Sequence, residues 1–218
     1  MTTTTPRDPE GTRETLLRAA SDIFADKGFQ VARVQDIARR ADTNLSAINY
    51  HFGSKQGLYE AVLEYQARSA IDRYPLLPSN AQSLSPERRF RCLVGNLLRR
   101  FIAPRDPSLM ARLMAREMAN PTRALDQLVE HVSKPQLAQM SRIVAELMGS
   151  DSEPEVVRRC AFSIMGQCLV YLFGRPVIGR IEPELYADDA SLERLADHIT
   201  AFSLAALRHY GDYRELSR

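Results

Sequence analysis

Apolar residues recur at three- and four-residue intervals along almost the whole chain, and neither a sustained two-residue alternation nor a hairpin turn signal interrupts them. The pattern predicts an all-α fold. No segment repeats at a fixed period, which argues against a helical solenoid. A first helix is expected from Thr12 as N-cap, with Glu14 in its first turn, Leu16, Leu17, Ala20, Ile23 and Phe24 on one face, and Gly28 as its stop. A second, from Val34 to about Ala41, turns Ile37, Ala38 and Ala41 inward. After Asp42, Thr43 and Asn44, a third runs from Leu45 to Phe52 with Leu45, Ile48 and Phe52 inward at i, i+3 and i+7. Ser54 can cap a fourth helix that carries Leu58, Val62 and Tyr65 toward the core and reaches about Arg73, ahead of a linker-like break from Tyr74 to Asn80. Five further helices are expected: Pro86 to Ala103, Ser108 to Asn120, Pro121 to Met148 with a kink or split at Pro135, Glu155 to Phe173, and Ser191 to Tyr210. The Gly- and Pro-interrupted stretch from Gly174 to Ala190 reads as a long loop.

Two short helices joined by a three-residue turn make a helix-turn-helix candidate. With Leu45, Ile48 and Phe52 turned inward, Ser46, Ala47, Asn49 and Tyr50 project from the opposite side of the third helix. Small and amide side chains there can approach base edges in a major groove. Gln35 on the second helix suits a bidentate contact with adenine N6 and N7. Asn44, as N-cap of the third helix, places its side chain and the free helix N–H groups where a phosphate can meet them. Lys55 starts a helix, where its charge opposes the dipole, an arrangement that favours an external anion.

The 218 residues, 44% apolar and 26% charged, have ordinary globular composition and suit one large domain or two small ones. The net charge of +2 excludes a polycationic mode of nucleic-acid binding and leaves room for a local patch. Between Arg33 and Lys55 the cations Arg33, Arg39, Arg40 and Lys55 face only Asp36 and Asp42, a local excess of two. Arg39 and Arg40 fit a solvated face better than base readout. Cys92, Cys160 and Cys168 form no C-x-x-C pair and sit in apolar surroundings, which suggests a reducing compartment with buried thiols. The Thr- and Pro-rich start lacks the apolar core of a signal peptide, and the longest apolar run, Cys160 to Phe173, is too short to span a bilayer, so a cytoplasmic protein with no membrane partner is expected. No metalloprotease, nucleophile-elbow, P-loop or dinucleotide fingerprint is present, and His51, His131, His198 and His209 are scattered, so no catalytic residue, metal or cofactor is assigned.

The runs Val34-Gln35-Asp36-Ile37-Ala38-Arg39-Arg40-Ala41 and Ile48-Asn49-Tyr50-His51-Phe52-Gly53-Ser54-Lys55, followed by Leu58-Tyr59, resemble the tetracycline-repressor (TetR) family of transcription regulators, over Thr12 to about Tyr65. The resemblance implies an all-helical homodimer with an N-terminal helix-turn-helix domain and a larger domain that binds a small effector and dimerises. Tyr50 and His51 resemble the family's phosphate-contacting pair, with a satisfied edge-of-core histidine beside Phe52 as the equal alternative for His51, and Lys55 resembles its backbone anchor. Arg33 stands where the family usually has Thr, losing a hydroxyl cap and gaining a phosphate-seeking guanidinium. Asp42 stands where Gly is common, and Asp tolerates a left-handed backbone. Ala115-Arg116-Glu117, Pro121 and the helices that follow look like the effector domain of a branch that includes antibiotic-responsive regulators. The implied division is a disordered arm over 1–11, a DNA-binding domain over 12–55 with the helix from 54 as connector, and an effector and dimerisation domain over 56–218.

The run from Cys160 to Phe173 is apolar nearly all round and needs two buried faces. Ala161, Gly166 and Leu169, with Leu195, Ile199, Phe202 and Ala206 of the last helix, are the expected dimer contacts. Phe101, Met110, Met114, Met118, Met140, Phe162, Met165 and Tyr171 offer adaptable lining for an effector, with Gln167 to orient it; at helical spacing such residues are also ordinary core. Arg116 and Glu117 suit an intradomain salt bridge. The arginine-rich stretch from Pro86 to Arg116 allows an acidic effector or partner, with a solvated face as the default. The reading is a ligand-responsive regulator, most often a repressor, released from a palindromic operator by its effector. The rival is a helical ligand- or partner-binding protein without operator recognition.

Overall fold

The computed structural model describes residues 9–102, 108–149 and 152–212. Among them every regular element is helical: α1 (Pro9–Val31), α2 (Val34–Arg40), α3 (Leu45–Phe52), α4 (Lys55–Arg73), α5 (Pro86–Phe101), α6 (Leu109–Ala119), α7 (Ala124–Leu128), α8 (Lys134–Met148), α9 (Pro154–Phe173), α10 (Arg175–Ile181) and α11 (Asp189–Asp212). Short 3-10 turns cover Ala81–Ser83 and Pro183–Tyr186, and a π-helical turn, Val129–Ser133, joins α7 to α8.

Three expectations are corrected. Helix α1 starts at Pro9, before Thr12, because proline at a helix start sacrifices no needed N–H and Glu10 complements the dipole. Pro9 to Gly11 are therefore helical, and the rest of the expected arm, 1–8, lies outside the described residues. Gly28 (φ 78, ψ 166) kinks α1 instead of ending it, and the chain resumes one more turn to Val31. The expected loop after Gly174 is largely ordered, since Pro176 in the first turn of α10 starts a helix as readily as it ends one.

By internal packing the chain divides into two units: residues 1–69 with 112–129, and residues 70–111 with 130–218. This differs from the contiguous division at residue 55, because α4 as far as Ser69 packs with the first unit and α6 joins that unit from Arg112 onward. The first unit centres on Leu16, Phe24, Ile37, Ile48, Leu58, Tyr59 and Leu63, all sealed from solvent. Tyr59 and Leu63 take inward positions where Tyr65 is only half-buried. The rings of Phe24 and Phe29 lie 4.9 and 5.0 Å from that of Tyr59.

In the second unit α5 packs against α8, α9 and α11 around Phe90, Leu93, Leu97, Val144, Ala161, Cys168 and Ala196. Helix α9 is longer than its apolar run, and among the described residues it alone has the length and composition to cross a bilayer. Its contacts with α5, α8, α10 and α11 account for one apolar face, while Phe162, Val170 and Phe173 remain exposed on the other.

Candidate nucleic-acid interface

Helix α2 has no side-chain cap at Arg33, so Arg33 stays exposed with a guanidinium that reaches no carboxylate among the described residues. The turn to α3 depends on Asp42 at φ 49, the left-handed conformation that Asp tolerates, and closes with the Thr43 N–H donating to the Ala38 carbonyl at 2.9 Å. Asn44 caps α3: its Oδ1 accepts from the Ala47 N–H at 3.0 Å. Gly53 ends the helix, and Ser54 Oγ accepts from the Gly57 N–H at 3.0 Å to start α4. Position 57 must be glycine, because a Cβ there would sit 2.2 Å from the Phe52 carbonyl oxygen. A short, doubly capped recognition helix is thus fixed at both ends by local hydrogen bonds.

Ile48 anchors α3 to the core, and Ser46, Asn49 and Tyr50 face solvent, with Tyr50 81% exposed. Ala47 is half-buried. Leu45 is corrected: it is 42% exposed, because the first residue of a short helix has no preceding turn to pack beneath it. Phe52 is only half-buried, with the Arg13 guanidinium 5.4 Å over its ring. Sequence reasoning missed Leu45 and Arg13 as members of this face. Arg13 lies 39 positions from Phe52, beyond any local pattern. His51 is half-buried, its ring edge-on to Tyr50 at 4.9 Å.

The electrostatics are more restrained than the charge count. Asp36 takes Lys27 at 3.1 Å and also Arg39, and the Lys27 hydrogen bond holds its carboxyl below the usual range. Arg40 pairs with Asp22. Lys55 donates to the Gln30 carbonyl at 3.2 Å and lies 4.8 Å over the Phe29 ring, so it already holds the end of α1; burial lowers its pKa. Its ammonium has two further N–H groups. Gln35, in the first turn of α2, is exposed, as is the N-cap residue Arg33.

The first unit also carries a buried polar lock. Glu117 of α6 is fully buried and accepts from Tyr59 Oη at 2.8 Å, from the Thr122 N–H at 2.6 Å and from Thr122 Oγ1 at 2.9 Å. Burial and this hydrogen bond raise the Tyr59 pKa. Arg116 Nε donates to the Ala25 carbonyl at 2.7 Å and its Nη2 to the Asp26 carbonyl, while Arg112 pairs with the Asp26 carboxylate. The intradomain salt bridges expected of Arg116 and Glu117 are replaced by hydrogen bonds to uncharged groups, Arg116 to carbonyls of α1 and Glu117 to Tyr59 of α4 and to Thr122.

The remaining candidates scatter. Met114 and Met118 belong to the first unit, with Met118 exposed, whereas Phe101, Met110, Met140, Phe162, Met165, Gln167 and Tyr171 belong to the second. Phe162 is 59% exposed and lines no interior site. Gln167 donates to Ser203 Oγ at 3.1 Å, and the Tyr171 carbonyl accepts from Tyr186 Oη at 2.9 Å. Of the expected dimer contacts, Ala161, Leu195 and Ile199 are buried within their own chain and offer no area to a partner. Gly166, Phe202 and Ala206 face solvent, and Leu169 is half-buried. The basic stretch is partly neutralised: Arg89 pairs with Glu146, Arg91 with Glu193 and Asp197, and Arg99 with Glu193.

Residues 86–207 match the family model of the C-terminal domain of the HTH-type transcriptional dual regulator CecR, and residues 16–62 match that of the bacterial regulatory proteins of the tetR family. The chain belongs to the TetR family. It is 27% identical to the transcriptional dual regulator CecR of Shigella flexneri over 177 residues, 78% of this chain and 79% of that one. It is 44% identical to the transcriptional activator FasR of Mycolicibacterium smegmatis over 59 residues, 27% of this chain and 26% of that one. The crystal structure of a TetR-family regulator from Mesorhizobium loti MAFF303099 superposes with a TM-score of 0.68 at 18% identity, covering 93% of this chain and 98% of that one. This TetR-family chain is therefore a DNA-binding transcriptional regulator, and the relatives named are regulators, not enzymes.

Proposed function

We propose that the chain is a ligand-responsive regulator that acts in the cytoplasm as a homodimer, binds a palindromic operator through α3, and is released when a small effector binds its C-terminal domain. The observation that carries the DNA half is the short helix α3, capped by Asn44 and stripped of core duties except at Ile48 and Phe52, with Ser46, Asn49 and Tyr50 facing solvent. Asn49 and Gln35 read bases, with Ser46, Ala47 and Leu45 making close or apolar contact. Arg33, Tyr50, His51, Lys55 and the α3 N-terminus at Asn44 meet phosphates, joined by Arg13. Two such helices reach successive major grooves when their centres are about 34 Å apart. The exposed apolar side chains Phe162, Val170 and Phe202, with Gly166 and Ala206, support a second copy seated on α9 and α11.

Release requires only that the effector bind one recognition-helix separation more tightly than another. Helices α4 and α6 each contribute residues to both packing units, which makes them the routes for that coupling. Repression is proposed because more of the relatives that print a direction are named repressors than activators, one being a dual regulator. A mobility shift with the duplex upstream of the chain's own coding sequence tests the reading: a retarded, competitor-resistant band is expected. Absence of retardation at low salt would favour the rival, a helical ligand- or partner-binding protein.

A further inference from the structure

The core-facing positions of α5 run Phe90, Leu93, Leu97 and then Arg100, at steps of three and four, so the stripe that buries leucine elsewhere buries a guanidinium at its end. Arg100 is 4% exposed. Its Nε donates to the Tyr74 carbonyl at 2.7 Å, while its Nη1 is sealed from solvent without a hydrogen-bond partner. Arg89, Arg91 and Arg99 on the same helix all reach carboxylates, and Arg100 reaches none among the described residues. Among the described residues the other two buried side-chain polar atoms without partners are Arg89 Nε, whose guanidinium is paired through Nη2, and Ser141 Oγ.

Taking an unpaired cation out of water is costly, and an apolar residue at this place would lower that cost. Burial lowers the Arg100 pKa, yet the group keeps its charge at neutral pH. A buried guanidinium with an idle, solvent-sealed N–H pair is the arrangement that receives a planar anion.

We infer that Arg100 is the anion-recognition residue of the effector site, and that the effector is a small molecule with a carboxylate or similar anionic group on an apolar body. The inference rests on the proposed ligand response and names its chemistry. The apolar body follows from the neighbours: Leu97, Leu98, Ile102 and Met110 are all buried around this end of α5. The place is also mechanically suited. The Tyr74 carbonyl that Arg100 holds belongs to the residue just after α4, and the Tyr74 N–H closes on the Ala70 carbonyl at 3.0 Å. An anion that draws the guanidinium toward itself competes with that carbonyl and loosens the end of the helix that starts beside α3. Ser108, whose Oγ donates to the Arg100 carbonyl at 3.0 Å and accepts from the Ala111 N–H at 3.1 Å, ties the same point to the start of α6.

The test uses the full chain and four probes: octanoate, benzoate, inorganic phosphate, and octanamide as the uncharged match to octanoate. Thermal unfolding and calorimetric titration read binding, and displacement of the upstream duplex reads response. Octanoate or benzoate is expected to bind roughly tenfold to a hundredfold tighter than the amide and, at a hundredfold excess over its Kd, to raise Tm by about 5–10 °C. Phosphate binding in their place would keep Arg100 as the anion receptor and move the class from carboxylate to phosphoryl. Arg100→Met is expected to remain folded, with Tm at or above that of the wild type, and to lose the preference for anion over amide; Arg100→Lys retains part of it. Indifference of the wild type to every anion, or an undiminished preference in Arg100→Met, overturns the inference. Anion binding through Arg100 without displacement of the duplex leaves the site standing and overturns ligand-controlled release.

Discussion

Replacing Glu117 by alanine tests the lock that fastens α6 to the DNA-binding unit. The carboxylate is fully buried and satisfies three donors: Tyr59 Oη, the Thr122 N–H and Thr122 Oγ1. Its removal strands the Tyr59 hydroxyl, whose residue is 2% exposed, and frees the Thr122 donors at a half-buried site. A buried donor left unmade costs about 1–3 kcal/mol, and breaking a buried charged network costs about 3–5 kcal/mol. The Thr122 groups recover water and soften the sum, so about 3–4 kcal/mol is expected for Glu117→Ala by the same magnitudes. In a chain of this size that is a fall in Tm of about 6–16 °C. Tyr59→Phe leaves Glu117 its two Thr122 donors and costs about 1–2 kcal/mol. Combined with Glu117→Ala it removes the stranded hydroxyl, so the double variant costs less than the sum of the singles by about 1–2 kcal/mol. Urea and thermal unfolding followed by circular dichroism, at one protein concentration, measure all four chains. A Glu117→Ala cost under about 1 kcal/mol, or an additive cycle, refutes the lock.

Three further outcomes follow from particular side chains. Lys55→Ala should weaken binding to all duplexes alike and lower the salt slope by about one if the ammonium meets a phosphate; an unchanged slope would confine it to the Gln30 carbonyl and Phe29 ring. Phe202→Glu, at a residue 62% exposed on α11, should convert dimer to monomer in sedimentation with helicity retained, and an unchanged mass would remove this face from the dimer contact. Native thiol labelling at pH 8 should modify half-buried Cys92 and spare Cys168, whose thiol burial pushes up to about 12. A raised folded pKa stabilises below the unfolded value and loses that contribution as pH climbs through 12, so rapid Cys168 labelling at pH 8 would contradict its burial.

Much of this was legible where local chemistry dictates geometry. The Asn44 cap, the Asp42 turn and the Ser54 start are decided within four residues, and α2 and α3 match the spacing of their apolar positions. Leu45 misled because periodicity says which residues share a face and not whether anything lies beneath the end of that face. Gly174 and Pro176 misled because a glycine after one helix and a proline in the first turn of the next look like a loop in sequence. Ala161, Leu195 and Ile199 misled because a helix apolar all round does not reveal which side its own chain covers. Long-range polar attachments were out of reach: nothing near Glu117 announces Tyr59, 58 positions away, or marks Arg100 among its paired neighbours.

The most direct test of DNA reading through α3 is fluorescence anisotropy of wild type and Asn49→Ala on the upstream duplex and on a scrambled one of equal length, at two salt concentrations. Wild type is expected to bind the upstream duplex about a thousandfold or more tighter than the scrambled one. Asn49→Ala is expected to lose about 1–3 kcal/mol on the upstream duplex and little on the scrambled one. Equal wild-type affinity for both duplexes, or an Asn49→Ala chain that discriminates as well as the wild type, would contradict DNA reading through α3.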